Sequence, residues 1–170
     1  PKGSNRGYKL NSSPIQKVAE NLNLDVRSPN NLNTDEEFNF FKNLNPDIVV
    51  VAAYGQLISK KILDIPKKGF INLHASILPN WRGAAPIQRA IMNLDKEIGV
   101  SIMKIVEELD SGPVMKKIKI DINSHDSSGK ILEKLSKIGA ENIVSALDDI
   151  FDDKAKFTEQ DHSLATYAKK

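Results

Sequence analysis

Asn72 and His74 stand two residues apart at the end of a short apolar run, residues 70–74. If that run is a strand, its period of two puts both side chains on one face. Asn carries an amide that donates and accepts hydrogen bonds, and His is the side chain whose ordinary pKa suits proton traffic near neutrality. The carboxyl ends of strands are where open α/β sheets bind ligands. The residues that follow, Ala75-Ser76-Ile77-Leu78-Pro79-Asn80-Trp81-Arg82-Gly83, make a loop rich in large side chains, a composition suited to covering a ligand. A third polar group, Asp110 in Leu109-Asp110-Ser111-Gly112, follows a second apolar run ending near Val106. If the two strands are neighbours, Asn72, His74 and Asp110 converge into an acid–base site. Spacing alone also admits a plainer reading: polar residues closing a strand, and Asp-Ser-Gly as ordinary turn chemistry.

The elements around these residues are legible from pattern. Ser13-Pro14-Ile15-Gln16 reads as a helix start, with a Ser cap, Pro in the first turn and Gln closing a capping box. Ile15, Val18, Ala19 and Leu22 then recur at helical spacing as one apolar stripe. Residues 24–26 read as a short strand. Thr34-Asp35-Glu36-Glu37 is a second capping box, and Phe38 and Phe41 give that helix its inner face. Residues 47–53 form a continuous β-branched run, the pattern of a strand covered on both faces. Residues 86–92 read as a helix with Ile87, Ala90 and Ile91 inward. Residues 99–106 and 114–122 read as strands, the second an edge strand because it carries Lys116, Lys117 and Lys119. Residues 127–151 read as a long helix with Ile131, Leu135, Ile138 and Leu147 among its core positions. Strands alternating with helices imply an α/β sheet covered on both sides.

Composition sets the outer bounds. The chain has 170 residues, 40% apolar and 27% charged, the balance of an ordinary globular domain. No apolar run approaches the ~18 residues of a membrane span. There are no cysteines, which excludes disulfides, thiolate zinc and a cysteine nucleophile, and fits a reducing cytoplasm. His74, His125 and His162 are too scattered to suggest a zinc site, so no metal is expected. A G-x-G-x-x-G fingerprint is missing. Ser128-Gly129-Lys130 lacks the earlier glycine of a P-loop, since position 124 is Ser. The net charge of +2 is small, but Lys2, Arg6, Lys9 and Lys17 all precede the first acid, Glu20.

Two of these segments carry a resemblance. Asn72-Leu73-His74-Ala75-Ser76-Ile77-Leu78-Pro79 resembles the N-x-H-x-S-L-L-P motif of the folate-dependent formyltransferases, and Leu109-Asp110-Ser111-Gly112 resembles their L-D-T-G motif. The block from Trp81-Arg82-Gly83-Ala84-Ala85-Pro86 to Ile91, with Val51-Ala52-Ala53-Tyr54-Gly55 and Thr166-Tyr167-Ala168-Lys169, is similar to the branch that formylates methionyl-tRNA. The resemblance runs over essentially the whole chain. Its departures are mild: Ile77 for Leu, Ser111 for Thr, and Pro113 where a polar residue is common.

The resemblance implies a Rossmann-like open twisted sheet with helices on both faces, here lacking the first strand–helix unit. It implies that residues 1–155 are a catalytic domain incomplete at its amino end. Residues 156–170 would begin a linker to an absent β-barrel domain. The implied reaction moves a formyl group from 10-formyltetrahydrofolate, a co-substrate, to the α-amino group of methionyl initiator tRNA, with no metal. Asn72 and His74 would bind the tetrahedral oxyanion, each such donor being worth roughly 3–4 kcal/mol. His74 would also move protons, and Asp110 would orient it and favour its charge. Ser76, Ile77, Leu78 and Pro79 would line the folate pocket, together with Tyr54, Gln56, Leu57 and Ile58. Arg6 and Lys9 map to an acceptor-stem loop, where cations neutralise phosphates and Arg reads base edges. Arg82 would join them in holding tRNA, or could hold the other substrate, or only a surface carboxylate. The resemblance further implies a cytoplasmic protein without membrane attachment, monomeric in full-length form. Two alternatives stay open: a relative that formylates another amine or hydrolyses formyl-folate, and an inactive fragment that only binds folate or RNA.

Overall fold

The computed structural model describes residues 12–170. The chain divides into two compact units, Pro1–Leu32 and Asn33–Lys170. Arg6 and Lys9 lie outside the described residues.

In the first unit, α1 spans Pro14–Asn21. Ser13 caps it by accepting the Gln16 N–H at 3.1 Å, and Pro14 opens the first turn, as the sequence pattern requires. None of its residues is buried, so its apolar stripe is not a core face. Residues 24–26 are not a strand but irregular chain. A strand exists only through its ladder, and no described segment pairs with them.

The second unit is built on a four-stranded sheet ordered β1-β2-β4-β5. Its elements are α2 (Asp35–Leu44), β1 (Val49–Ala52), α3 (Lys60–Leu63), β2 (Phe70–His74), β3 (Arg82–Gly83), α4 (Pro86–Met92), β4 (Glu97–Lys104), β5 (Val114–Asp121), α5 (Ser128–Phe151) and β6 (Tyr167–Ala168). β1 and β2 are parallel, whereas β2–β4 and β4–β5 are antiparallel. Thr34 caps α2 through the Glu37 N–H, and Ser127 caps α5 through the Lys130 N–H.

The sheet has a packed side and a polar side. Ile71 and Ile102 pack on Ala146 and Ile150 of α5, and Val100 packs with Ile131, Leu135 and the α4 residues Ile87 and Ala90. The buried line of α5 is Ile131, Leu135, Gly139, Ala146 and Ile150, with Ile138 and Leu147 half-buried beside it. On the other side, Phe41 of α2 meets Phe70 with ring centroids 6.1 Å apart. That face also carries Asn72, His74, Ser101 and Met103, paired in register across β2 and β4.

One strand departs from its pattern. The run 47–53 yields only a four-residue strand of alternating burial, not one covered on both faces. Among the described residues β1 is an edge, and Val50, which sits opposite Ile71, stays 42% exposed because α5 is seated over β2 and β4. β5 is the other edge, as its lysines require.

Candidate active site at the end of strand β2

β1 and β2 run parallel, so the loops after Ala52 and His74 leave the sheet at the same end. The second loop is fastened over the polar face. Leu78 donates its N–H to Ser101 Oγ at 3.1 Å, and Ser101 Oγ donates to the Ser76 carbonyl at 2.7 Å. Ser76 Oγ donates to the Asn80 carbonyl. Leu78 itself is fully buried against Met103 and Val114.

His74 is 6% exposed. Its Nε2 lies 2.9 Å from the Trp81 carbonyl oxygen, and its Nδ1 lies 3.6 Å from Asp110 Oδ2. A backbone carbonyl can only accept, so Nε2 carries a hydrogen. Trp81 holds that carbonyl in place with φ at +59°, a left-handed conformation that is costly for a bulky residue. Three bonds fix it: Trp81 N–H to Thr166 Oγ1 at 2.8 Å, Trp81 Nε1 to Asp95 Oδ2 at 2.6 Å, and the His74 contact itself.

Asp110 reaches His74 by a route that strand adjacency does not supply. β4 is antiparallel to β2 and ends with Lys104 opposite Ile71, three residues before His74. The chain from 105 to 113 must therefore fold back. Gly112 makes this possible: a Cβ there would lie 2.0 Å from the Lys104 carbonyl oxygen. Asp110 takes a left-handed φ of +47°, which Asp tolerates better than most residues. Its Oδ2 accepts the Gly83 N–H at 2.8 Å. The carboxylate thus sits between the imidazole and the backbone of the covering loop.

Asn72 lies on the same face, two residues before His74, half-buried. Its side-chain amide makes no hydrogen bond to the described residues, which leaves both N–H groups for an incoming group.

The remaining expected residues are placed unevenly. Tyr54 is 40% exposed with its hydroxyl 3.3 Å from Gln56 Oε1, and burial of part of the ring pushes its ionisation above the ordinary phenol value. Leu57 is exposed, Ile58 is buried, and Ile77 and Pro79 are half-buried. Leu78 supports the loop from beneath rather than presenting its side chain to a ligand. Arg82 is the clearest correction. It is 1% exposed, and its guanidinium is turned inward onto Gln160 Oε1 at 2.9 and 3.2 Å and toward His162 Nδ1 at 3.2 Å, so it presents no surface cation to tRNA. A groove of about 760 Å³ lies at the other end of β2, around Phe70 and Lys104, away from this chemistry.

Sequence reasoning missed the segment after α5. Thr158 pairs with Val114, Gln160 reaches Asp110 and Gly112, Thr166 holds Trp81, and β6 pairs parallel with β3. Polar residues in irregular chain give no pattern from which such contacts could be read. No group of three or more His, Asp or Glu side chains set to hold a metal occurs among the described residues.

The site is thus a polar cluster at the end of a parallel strand pair in a mixed sheet, roofed by the loop that follows it. The formyl transferase family model matches residues 1–147, and the chain belongs to that family. Among curated relatives, the methionyl-tRNA formyltransferase of Pelagibacter ubique is 55% identical over all of this chain and 55% of its own length. That of Kosmotoga olearia is 44% identical, over all of this chain and 54% of its own length. This chain therefore spans about half the length of the relatives it matches. Among solved structures, the N-formyltransferase from Helicobacter canadensis, in complex with folinic acid and dTDP-3-aminofucose, superposes with a TM-score of 0.76. It shares 19% identity over 98% of this chain and 56% of that one, and it shows the same fold.

Proposed function

We propose that this chain is the catalytic part of an enzyme that transfers the formyl group of 10-formyltetrahydrofolate to the α-amino group of methionyl initiator tRNA. The observation that carries the reading is the cluster of Asn72, His74 and Asp110, with an unpartnered amide beside a buried imidazole–carboxylate pair. The relatives' names support the choice of acceptor.

When bound, the folate supplies an activated formyl group. The chain's residues must then do three things. Asn72 donates hydrogen bonds to the oxyanion that forms as the amine adds to the formyl carbon, and such donors act more strongly in a partly dry site than in water. His74, with Nε2 committed to Trp81, is held in a fixed ring orientation against Asp110. The pair takes the amine proton and returns one to the departing folate nitrogen. The loops after β1 and β2 bind the folate and exclude water: Tyr54, Gln56 and Leu57 from one, Ile77 and Pro79 from the other, with Ile58, Ser76 and Leu78 buried beneath them. Arg6 and Lys9 contact tRNA phosphates and base edges. The enzyme works in the cytoplasm; no helix among the described residues is long and apolar enough to cross a membrane.

In this reading the catalytic domain includes the segment after α5, since Thr158, Gln160, Thr166 and β6 are bonded into the site. Two measurements test the function. Titration of the chain with 5-formyltetrahydrofolate should show saturable binding. Formylation should proceed with methionyl initiator tRNA and not with a nucleotide-linked amino sugar. Transfer to the sugar alone, or release of formate without an acceptor, would contradict the reading.

A further inference from the structure

Gln160 is 6% exposed, and its amide is fully used. Oε1 accepts from Arg82 Nε at 3.2 Å and from Arg82 Nη2 at 2.9 Å. Because the guanidinium can only donate, the amide orientation is fixed, and Nε2 must face acceptors. Those acceptors are the carbonyls of Asp110 at 2.9 Å and Gly112 at 2.7 Å. One side chain therefore ties a buried cation on the covering loop to the backbone of the turn that carries Asp110.

Asp110 stands on a folded-back loop in a left-handed conformation, not on a strand. Its carboxylate has one backbone donor, Gly83 N–H, and that donor is the residue after Arg82. Gln160 thus grips both elements whose separation sets the distance from Asp110 to His74. A neighbouring segment reinforces the grip: the Arg82 N–H donates to the Thr166 carbonyl at 2.9 Å, and β6 pairs with β3.

We infer that Gln160, clamped by Arg82, is a positioning residue for the transfer reaction, holding the Asp110 turn so that its carboxylate faces His74. This rests on the proposed role of Asp110. Gln160 touches neither substrate nor reacting atoms. It acts through the backbone of residues 110–112, where a displacement of an ångström is enough to cost on the order of 100-fold in rate.

Gln160→Glu separates positioning from packing. The carboxylate still accepts from Arg82, but both N–H groups that hold the turn are gone. The expected result is a folded protein with kcat lowered about 10- to 100-fold and KM nearly unchanged. In ¹⁵N-histidine spectra of this chain, the ring signals of His74, assigned with His74→Ala, should shift. Should Gln160→Glu fail to fold, Gln160→Met keeps the length and is read the same way. A folded variant with kcat and His74 ring signals both unchanged would overturn the inference. Absence of transfer by the parent protein would count against the proposed function instead, and the His74 spectra would still decide the role of Gln160.

Discussion

The imidazole of His74 and the carbonyl of Trp81 meet at 2.9 Å, which commits one ring nitrogen to the loop that covers the site. The other nitrogen is left toward Asp110 at 3.6 Å. The ring cannot turn over without losing the Trp81 contact, so Asp110 is the group that sets what Nδ1 can do. Asp110→Asn keeps an oxygen for the Gly83 N–H but removes the negative charge beside the ring. The expected outcome is a fold close to the parent by near-UV circular dichroism, with transfer lowered by roughly 10²–10⁴-fold, the range of a lost acid–base contribution. Steady-state kinetics with methionyl-tRNA checks it.

Gly112 is required by space rather than by φ. A methyl group there would meet the Lys104 carbonyl oxygen at 2.0 Å, a backbone atom that cannot swing away. Gly112→Ala should force the Asp110 turn outward. Overpacking of this kind typically costs about 1–3 kcal/mol, readable as a lower urea midpoint, and transfer should fall with it.

Leu78 tests whether the loop's apolar residues bind folate or hold the loop. It is fully buried on Met103 and Val114. Leu78→Ala should cost about 2–5 kcal/mol of stability, the usual price of a core truncation. Folate affinity, measured by calorimetry below the midpoint, should change little by comparison.

Asp126 is the clearest pH-dependent group. Its buried carboxylate is paired with Lys130 at 2.8 Å and Lys134 at 3.1 Å, and it accepts the Asn123 N–H. The Lys130 contact, then the Asn123 and Lys134 bonds, hold its pKa well below the usual carboxylate value. A depressed folded-state pKa gives stability that is present above the unfolded value, about 3.9, and lost as pH falls through the folded one. Thermal melting should therefore show wild type losing stability below about pH 4, and Asp126→Asn should be less stable at pH 7 with a flatter acid limb.

Much of the second unit was legible because its signals are local. Thr34 caps the helix that its capping sequence announces, and β2 and α4 fall on the residues that pattern assigns. Residues 47–53 read as a strand covered on both faces, yet Val50 is exposed, because a β-branched run does not say whether a helix lies over each face. Residues 24–26 have strand composition without a partner, and pairing is not written in a single segment. At the site, Asn72 and His74 share a face by strand period alone. Asp110 joins them through a fold-back that depends on Gly112, Gly83 and Gln160, residues far apart in sequence. Arg82 reads as a surface cation in an exposed-looking loop, and only the return of the segment after α5 turns it inward.

Asn72 offers the most direct test of the transfer centre, since its amide has no structural bond to lose among the described residues. Single-turnover formylation of methionyl initiator tRNA should be compared for the parent and Asn72→Ala at saturating folate. If Asn72 stabilises the oxyanion, the rate falls by about 10²–10³-fold while folding and folate binding change little. An unchanged rate in Asn72→Ala would contradict the assignment of this face of β2 as the place where the formyl group is transferred.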